Sequence, residues 1–393
     1  MQPRARIYLD WNATTPPHAD VLAAMRLAAE DAWANPSSVH GPGRRARLEL
    51  ERARQAVASL CRRDARDVVL TSGGTEANNL ALHGLLGEGH GALVVGAVEH
   101  PSVLRAAEAL AARGVGLRVV APEPAGSVPL EALRAALAAL RGAAPLVVSL
   151  QAVNHETGVI QPVAELAELC RSVDAYLHVD AVQAVGKLDP AEWAVADLLT
   201  IAAHKIRGPK GIGALVLRPG VRLQPLLRGG AQEQGLRPGT QDAAAAAGFA
   251  VAAERAQVTA TAAEQARTAA LRDELEAQLG ELGAGSAGPP ERNGTGRRSA
   301  QVSNLSWPGW SGAELCAALD LEGVAVSSGA ACSAGTPEPS PVITAMLGPG
   351  RARSAVRISL GEDTSRAELA AAVAAFARVL GRSENSLELT PGA

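Results

Sequence analysis

The sequence predicts an α/β protein whose main domain is a mostly parallel sheet with helices on both faces. From about residue 67, short apolar runs alternate with Ala-rich amphipathic stretches. Runs that are apolar on both faces fit strands buried from two sides, the state of strands in a parallel sheet. Their regular alternation with helical stretches is the pattern of crossover connections. At 393 residues the chain also exceeds the ~250–300 at which single cores stop growing, so a second, smaller domain is expected.

Taken in order, DVVLTS (67–72) is a strand leading to a helix from about Thr75, and ALVVGA (92–97) leads to one from about Pro101. PLVVSLQ (145–151) precedes a helix after Pro162, and AYLHVD (175–180) and DLLTIAA (197–203) continue the series. A Gly/Pro turn after Lys205 leads into another apolar strand ending near Leu217. Residues 248–283 read as one long Ala-, Glu- and Arg-rich helix, and the polar stretch GAGSAGPPERNGTGRRSA after it is the strongest boundary signal. Beyond it come strand (VSNLSW), helix (AELCAALDLEG), strand (VAVSS), loop, strand (AVRISL) and a last helix opened by a Ser365/Glu368 capping box. The final residues, SENSLELTPGA, are expected to fray.

With 47% hydrophobic and 20% charged residues the composition is that of an ordinary soluble globular protein. A net charge of -3 supplies no basic field for nucleic acid or an anionic membrane, so neither is expected as a direct partner. The first residues lack the apolar run of a signal peptide and no segment reaches 18 apolar residues, so a cytoplasmic protein is expected. Cys61, Cys170, Cys316 and Cys332 form no C-x-x-C pair, which argues against a zinc ribbon or a disulfide framework. Cys61, Cys170 and Cys316 read as small buried hydrophobes. Cys332 sits among Ser, Gly and Ala in a segment too polar for a core, and reads as an exposed thiol.

The chain has only three lysines, Lys187, Lys205 and Lys210, among Lys and Arg residues that total 37. Lysine can do what arginine cannot: shed its proton and attack a carbonyl. Lys187 and Lys210 are expected to be solvated turn residues. Lys205 follows a buried strand, beside His204. Gly73, Gly74 and Thr75 lie where a strand gives way to a helix, and two side-chain-free residues, a hydroxyl and a helix N-terminus make a small phosphate cradle. No P-loop is present, and Gly208 to Gly213 lacks dinucleotide-fingerprint spacing. His178 and Asp180 end another strand, with Gln183 shortly after; strand ends line the ligand crevice of parallel sheets. A metal held by His178 and Asp180 lacks a third ligand at suitable spacing. Cradle, strand-end Asp and strand-end Lys together point to pyridoxal 5'-phosphate, with the helix N-terminus on the phosphate, Asp180 at the pyridinium nitrogen and Lys205 bonded to the aldehyde carbon.

With these motifs in place, the chain resembles the cysteine desulfurases of the NifS/IscS type, in the class V, fold-type I group of PLP enzymes. The likeness rests on ordered matches along nearly the whole chain: YLDWNATTP (8–16), NPSSVH (35–40), TSGGTEANN (71–79), EHPSVL (99–104), VNHETGVIQPV (153–163), HVDAVQAVGK (178–187), AHKIRGPKGIGAL (203–215), RPGTQD (237–242), SSGAACSAG (327–335) and VRISLG (356–361). It implies a seven-stranded-type sheet in a large PLP-binding domain (13–260) and a smaller α+β domain (1–12 and 261–393) carrying a mobile cysteine loop. By resemblance Lys205 is the cofactor lysine, Asp180 the partner of the ring nitrogen, and His100 an acid–base group stacked on the ring. Gln183 and His155 would meet the phenolic oxygen. Gly74, Thr75 and His204 would hold the phosphate, with Thr240 reaching across from the second subunit of a homodimer. Arg357 would clamp the substrate carboxylate, with Asn35 beside it, and Cys332 would be the nucleophile. The implied activity is conversion of L-cysteine to L-alanine with sulfur passed to Cys332 as a persulfide, then to an acceptor protein, a cluster scaffold or a sulfur carrier, for iron–sulfur cluster assembly or tRNA thiolation. A selenocysteine lyase, another class V enzyme, and a weakly active sulfur-delivery scaffold needing a partner are the alternatives. Two positions depart from the family pattern: Ala202 stands where a Ser is usual, removing a phosphate hydrogen bond worth ~1.5–3 kcal/mol, and His155 stands where many members have a second Asn.

Overall fold

The computed structural model describes residues 6–282, 288–329 and 339–387. In chain order the strands are β1 (Ile7–Tyr8), β2 (Val68–Thr71), β3 (Ala92–Gly96), β4 (Gly116–Val120), β5 (Leu146–Ser149), β6 (Tyr176–Asp180), β7 (Leu198–Ala202), β8 (Gly213–Leu217), β9 (Glu291–Arg292), β10 (Val302–Ser306), β11 (Val324–Ala325) and β12 (Ala355–Ser359). The helices are α1 (Ala19–Asp31), α2 (Gly41–Cys61), α3 (Gly74–Leu86), α4 (Pro101–Ala111), α5 (Leu130–Ala139), α6 (Val163–Ser172), α7 (Ala243–Thr259), α8 (Ala262–Glu281), α9 (Gly312–Leu321), α10 (Pro341–Leu347), α11 (Pro349–Arg353) and α12 (Arg366–Leu387).

A seven-stranded sheet in the order β2-β8-β7-β6-β5-β3-β4 forms the centre. Only β8 runs against its neighbours; the other six strands are parallel. Period-2 alternation sends successive apolar side chains to opposite faces, and both faces are covered. Val94, Val148, Leu199 and Ile201 pack into one cluster, while Leu93, Val95 and Val147 pack with α4 residues Val103 and Leu110 on the other side. Each such side chain removed from water stabilises by ~1.5–3 kcal/mol, which is why these strands carry no polar face to solvent. Strand β4, sequence GLRVV, was not recognised in the sequence; it is the sheet edge, and its half-exposed positions carry no buried-strand pattern. Helices α1 and α2 lie before the alternating pattern that the sequence shows from about residue 67. They pack on α7 through Ala28, Ala32, Ala46, Ala243 and Ala247, small side chains that let helix backbones come close.

A second sheet, β12-β10-β9, is antiparallel, and its core of Leu9, Leu271, Leu275, Trp307, Val356, Ile358 and Phe376 is separate from the large one. Trp307 and Phe376 stack with ring centroids 5.4 Å apart. The strand read over VAVSS is shorter than expected: β11 pairs with β1, and beyond it Ser327 makes a single antiparallel bridge to Arg357 of β12. The single long helix expected over 248–283 is two helices. The chain leaves α7 after Thr259, and Thr261 caps α8 by accepting a hydrogen bond from the Glu264 N–H at 3.2 Å. Thr-x-x-Glu was the visible stop-and-restart signal. The Ser365/Glu368 capping box forms as expected, with the Ser365 N–H donating to Glu368 at 2.9 Å and the Glu368 N–H to Ser365 at 3.2 Å.

Candidate active site

Strand ends build one wall of the site. β6 terminates at Asp180, and β7 at Ala202, where a single tight helical turn over Ala203–Lys205 swings Lys205 round toward Asp180. Across from them β2 breaks into α3 at Gly73. That residue has φ +150°, a region costly for any residue with a Cβ, and its Cα lies 2.7 Å from where a Cβ on Gly213 would sit. A Cβ on Gly74 would meet Val182 at 3.0 Å, so the first turn of α3 is laid close against the strand ends because both positions are glycine.

These elements enclose a cavity of about 180 Å³. Gly74, Thr75, Asp180, Gln183, His204 and Lys205 line it, together with His100, His155 and Arg357. Asn35 and Thr240 do not: both are exposed on the described chain, and Asn35 accepts a hydrogen bond from the Ser37 N–H at 2.9 Å. The loop bearing Thr240 is fastened to the sheet edge by Glu233, whose carboxylate takes a bidentate pair from Arg54 at 2.5 and 2.6 Å and the Leu70 N–H at 2.8 Å. Cys332 lies outside the described residues.

Lys205 Nζ donates to the carbonyls of Asn12 and Ala13 at 2.5 and 2.8 Å. Asp180 accepts from Asn78 Nδ2 at 2.8 Å and from the Val182 N–H at 3.0 Å, which leaves it an oriented carboxylate. His100 caps α4: its Nδ1 takes the Ser102 N–H at 3.1 Å, and burial lowers its pKa, with Asp180 opposing and Lys205 adding to that shift. Its ring meets His155 edge-on with centroids 5.3 Å apart. His155 is buried, its Nε2 has no hydrogen-bond partner among the described residues and lies 3.6 Å from Glu156 Oε1, and burial, reinforced by His100, Arg357 and Lys205, holds it well below its ordinary 6.5. It therefore sits neutral at physiological pH. Burial, with the nearby lysines adding, also pushes His204 down to about 4.

Arg357 is 2% exposed, and its fork is partly used within the protein: Nη2 donates to Asp10 at 2.7 Å and Nη1 to the His155 carbonyl at 3.1 Å, leaving Nε without an acceptor. His178 faces the core, with Nδ1 on Ser149 at 2.8 Å and Nε2 on Thr200 at 3.0 Å, so both ring nitrogens are taken by cross-strand hydroxyls. Lys187 is not the solvated turn residue expected. It is half-buried, bonds Gln183 Oε1 at 3.0 Å, and burial beside Lys205 pushes it down to about 7. Lys210 is exposed. Asn12, Asn78 and Asp10 were missed in the sequence. Asn78 was findable, as a polar residue on the buried face that Ala77 and Ala81 define on α3. Asp10 and Asn12 carried no periodic signal.

The class V aminotransferase profile matches residues 7–371. The chain belongs to the class V aminotransferase family. Over 392 residues it is 39% identical to a cysteine desulfurase of Bradyrhizobium diazoefficiens, covering 98% of each chain. It is 34% identical to the cysteine desulfurase IscS of Dictyoglomus turgidum, covering 93% of this chain and 92% of that one. Among solved structures, a NifS-like protein superposes with a TM-score of 0.87 at 30% identity, covering 96% of this chain and 100% of that one.

Class V enzymes of this kind depend on pyridoxal 5'-phosphate, and the residues present fit it. The cavity holds a carboxylate and a lysine at the ends of neighbouring parallel strands and a glycine-opened helix N-terminus. Asn12 Oδ1, Asn78 Oδ1, His155 Nε2 and Arg357 Nε, all on residues that line it, are buried without a hydrogen-bond partner among the described residues. Such atoms cost ~1–3 kcal/mol each until something polar meets them. Ala202 presents a methyl group to this wall, 3.7 Å from where a Gly74 Cβ would be, and offers no side-chain hydrogen bond there.

Proposed function

We infer that the protein is a cysteine desulfurase that converts L-cysteine to L-alanine. The observation that carries this is the single cavity onto which Lys205, Asp180, His100 and the N-terminus of α3 converge, in a chain similar over almost its full length to curated cysteine desulfurases. Pyridoxal 5'-phosphate supplies an electron sink conjugated to the substrate Cα. Lys205 holds the cofactor and moves a proton at Cα; Asp180, oriented by Asn78, keeps the ring nitrogen protonated. His100, neutral because of its burial, accepts or returns the thiol proton of the substrate. Arg357 offers its Nε to the substrate carboxylate, and further donors become available if Asp10 yields. Gly74, Thr75 and His204 hold the phosphate, while Asn35, which does not line this cavity, is assigned to the substrate by likeness alone. His155 and Gln183 meet the phenolic oxygen.

Cys332 is the sulfur acceptor in this reading. Its thiolate attacks the substrate sulfur, the carbon–sulfur bond breaks, and the electron pair left on carbon takes a proton to give alanine. The persulfide is then passed to a cluster scaffold or a sulfur carrier. The other thiols support this choice: burial pushes Cys61, Cys170 and Cys316 each up to about 12, so none is a thiolate at neutral pH. Residues 13–260 act as the cofactor domain, with 1–12 and 261–393 as the smaller one. Thr240, exposed on an anchored loop, serves the phosphate of a second subunit in a homodimer. Scattered cysteines described as free thiols suit a reducing, cytoplasmic setting.

The test is Cys332→Ala with alanine quantified. Alanine and sulfide release from L-cysteine should fall at least to the background of free PLP chemistry; release at the wild-type rate would show that another group takes the sulfur.

A further inference from the structure

Gln183 faces the cofactor cavity from a position where its amide could present either oxygen or nitrogen. Its two protein contacts decide which. Oε1 accepts from Lys187 Nζ at 3.0 Å, and Nε2 donates to the Asn12 carbonyl at 3.0 Å. The reversed amide would set its NH2 against the lysine donor and its oxygen against a carbonyl, losing both bonds. An NH2 group has two hydrogens. One is spent on Asn12, and the other remains for the cavity.

We propose that Lys187 is a positioning residue that locks the Gln183 amide so that an N–H, and not the oxygen, is offered to the phenolic oxygen of the cofactor. This rests on the reading that the cavity takes pyridoxal 5'-phosphate with Gln183 at that oxygen. Lys187 does not line the cofactor cavity. It lines a second one of about 100 Å³, which Lys205 and Asn12 separate from the first and which Arg207, Arg255, Glu264 and Glu362 also border. The lysine thus acts through Gln183 and not on the cofactor, and its partial burial beside Lys205 lowers its pKa to about 7.

The experiment is a pH titration of the visible absorption of the cofactor-loaded protein, in wild type, Gln183→Ala, Lys187→Met and the double variant. Lys187→Met replaces a half-buried amine with an apolar chain of similar length, so it should fold; melting curves check this. An N–H at the phenolic oxygen favours its ionised form and loosens the proton shared with the neighbouring nitrogen. Its loss should raise the midpoint by about 0.5–1 pH unit in each single variant. If Lys187 works through Gln183, the double variant shifts no further than Gln183→Ala alone. Additive shifts would mean that Lys187 acts by its charge and overturn the proposal, as would an unshifted Lys187→Met beside a shifted Gln183→Ala. If Gln183→Ala itself leaves the midpoint unchanged with cofactor bound, the placement of Gln183 at the phenolic oxygen fails, a different failure from that of the lysine.

Discussion

The large parallel sheet and the small antiparallel sheet each send charged groups to one cavity, and they do so by different means. Asp180 and Lys205 stand at the ends of β6 and β7, where the ladder stops and a side chain can reach a ligand without disturbing strand pairing. Arg357 sits in the middle of β12, paired in register with Asn304 of β10, and is almost wholly buried. A cation in that position needs an internal counter-charge, and Asp10 supplies it from the N-terminal segment. The large sheet therefore offers strand-end groups oriented toward the cavity by hydrogen bonds, while the small sheet offers one locked in a buried ion pair. Losing the first kind should cost activity, and losing the second should cost stability.

The sharpest test on the first side is Lys205→Ala. Activity should fall by about 10²–10⁴-fold, the range for removing a proton-transferring group, and the visible absorption of the covalently held cofactor should vanish, with the melting curve little changed. A retained, borohydride-reducible lysine adduct would assign the role elsewhere. On the second side, Asp10→Ala leaves the Arg357 charge buried without its partner. Breaking such a pair costs about 3–5 kcal/mol, read as a fall in the urea midpoint. A loss under about 1 kcal/mol would mean that solvent reaches the guanidinium, and the contrast between the two sheets would dissolve.

The same contrast explains what could be read in the sequence. Strands buried on both faces announce themselves by composition, and strand-end polar residues stand out against them, so β2, β3, β5, β6, β7, Asp180 and Lys205 were legible. Strand β4 was not, because an edge position relaxes the demand for apolar residues. The role of Arg357, and that of Cys332 beyond an exposed thiol, are reachable only through likeness to a known family: a cation in the middle of a strand looks like a solvated one until Asp10, 347 residues away in sequence, is brought beside it. Asp10 and Asn12 belong to a segment with no periodicity at all. A turn position suggests solvent for Lys187, but the turn after β6 is folded under the N-terminal segment and α7.

Lys187 gives a prediction of intermediate size. In the unfolded chain it keeps its proton up to 10.5, and in the folded protein it releases it at about 7. Between those values the unfolded state binds the extra proton, so the lysine's contribution makes the folded protein more stable as pH rises, by up to about 1.4 kcal/mol per pH unit. Below about 7 the cost of enclosing the charge is constant. Lys187→Met should flatten this slope relative to wild type in denaturant titrations across that window. An identical slope in both proteins would place the lysine in solvent.

The smallest expected effect lies where the two cores meet. Thr261 opens α8, whose Leu271, Leu275 and Leu279 belong to the small core, directly after α7, whose Phe249 and Ala253 belong to the large one. Thr261→Ala removes the hydrogen bond to the Glu264 N–H and should cost about 1 kcal/mol, the usual loss for a helix cap. Because α8 carries no residue of the cofactor cavity, the visible absorption and its pH midpoint should stay as in wild type. A shift in that midpoint would mean that the start of α8 is felt through the second cavity, where Glu264 and Lys187 share a wall, and that the groups behind Lys205 are coupled to the small core as well as to the sheet.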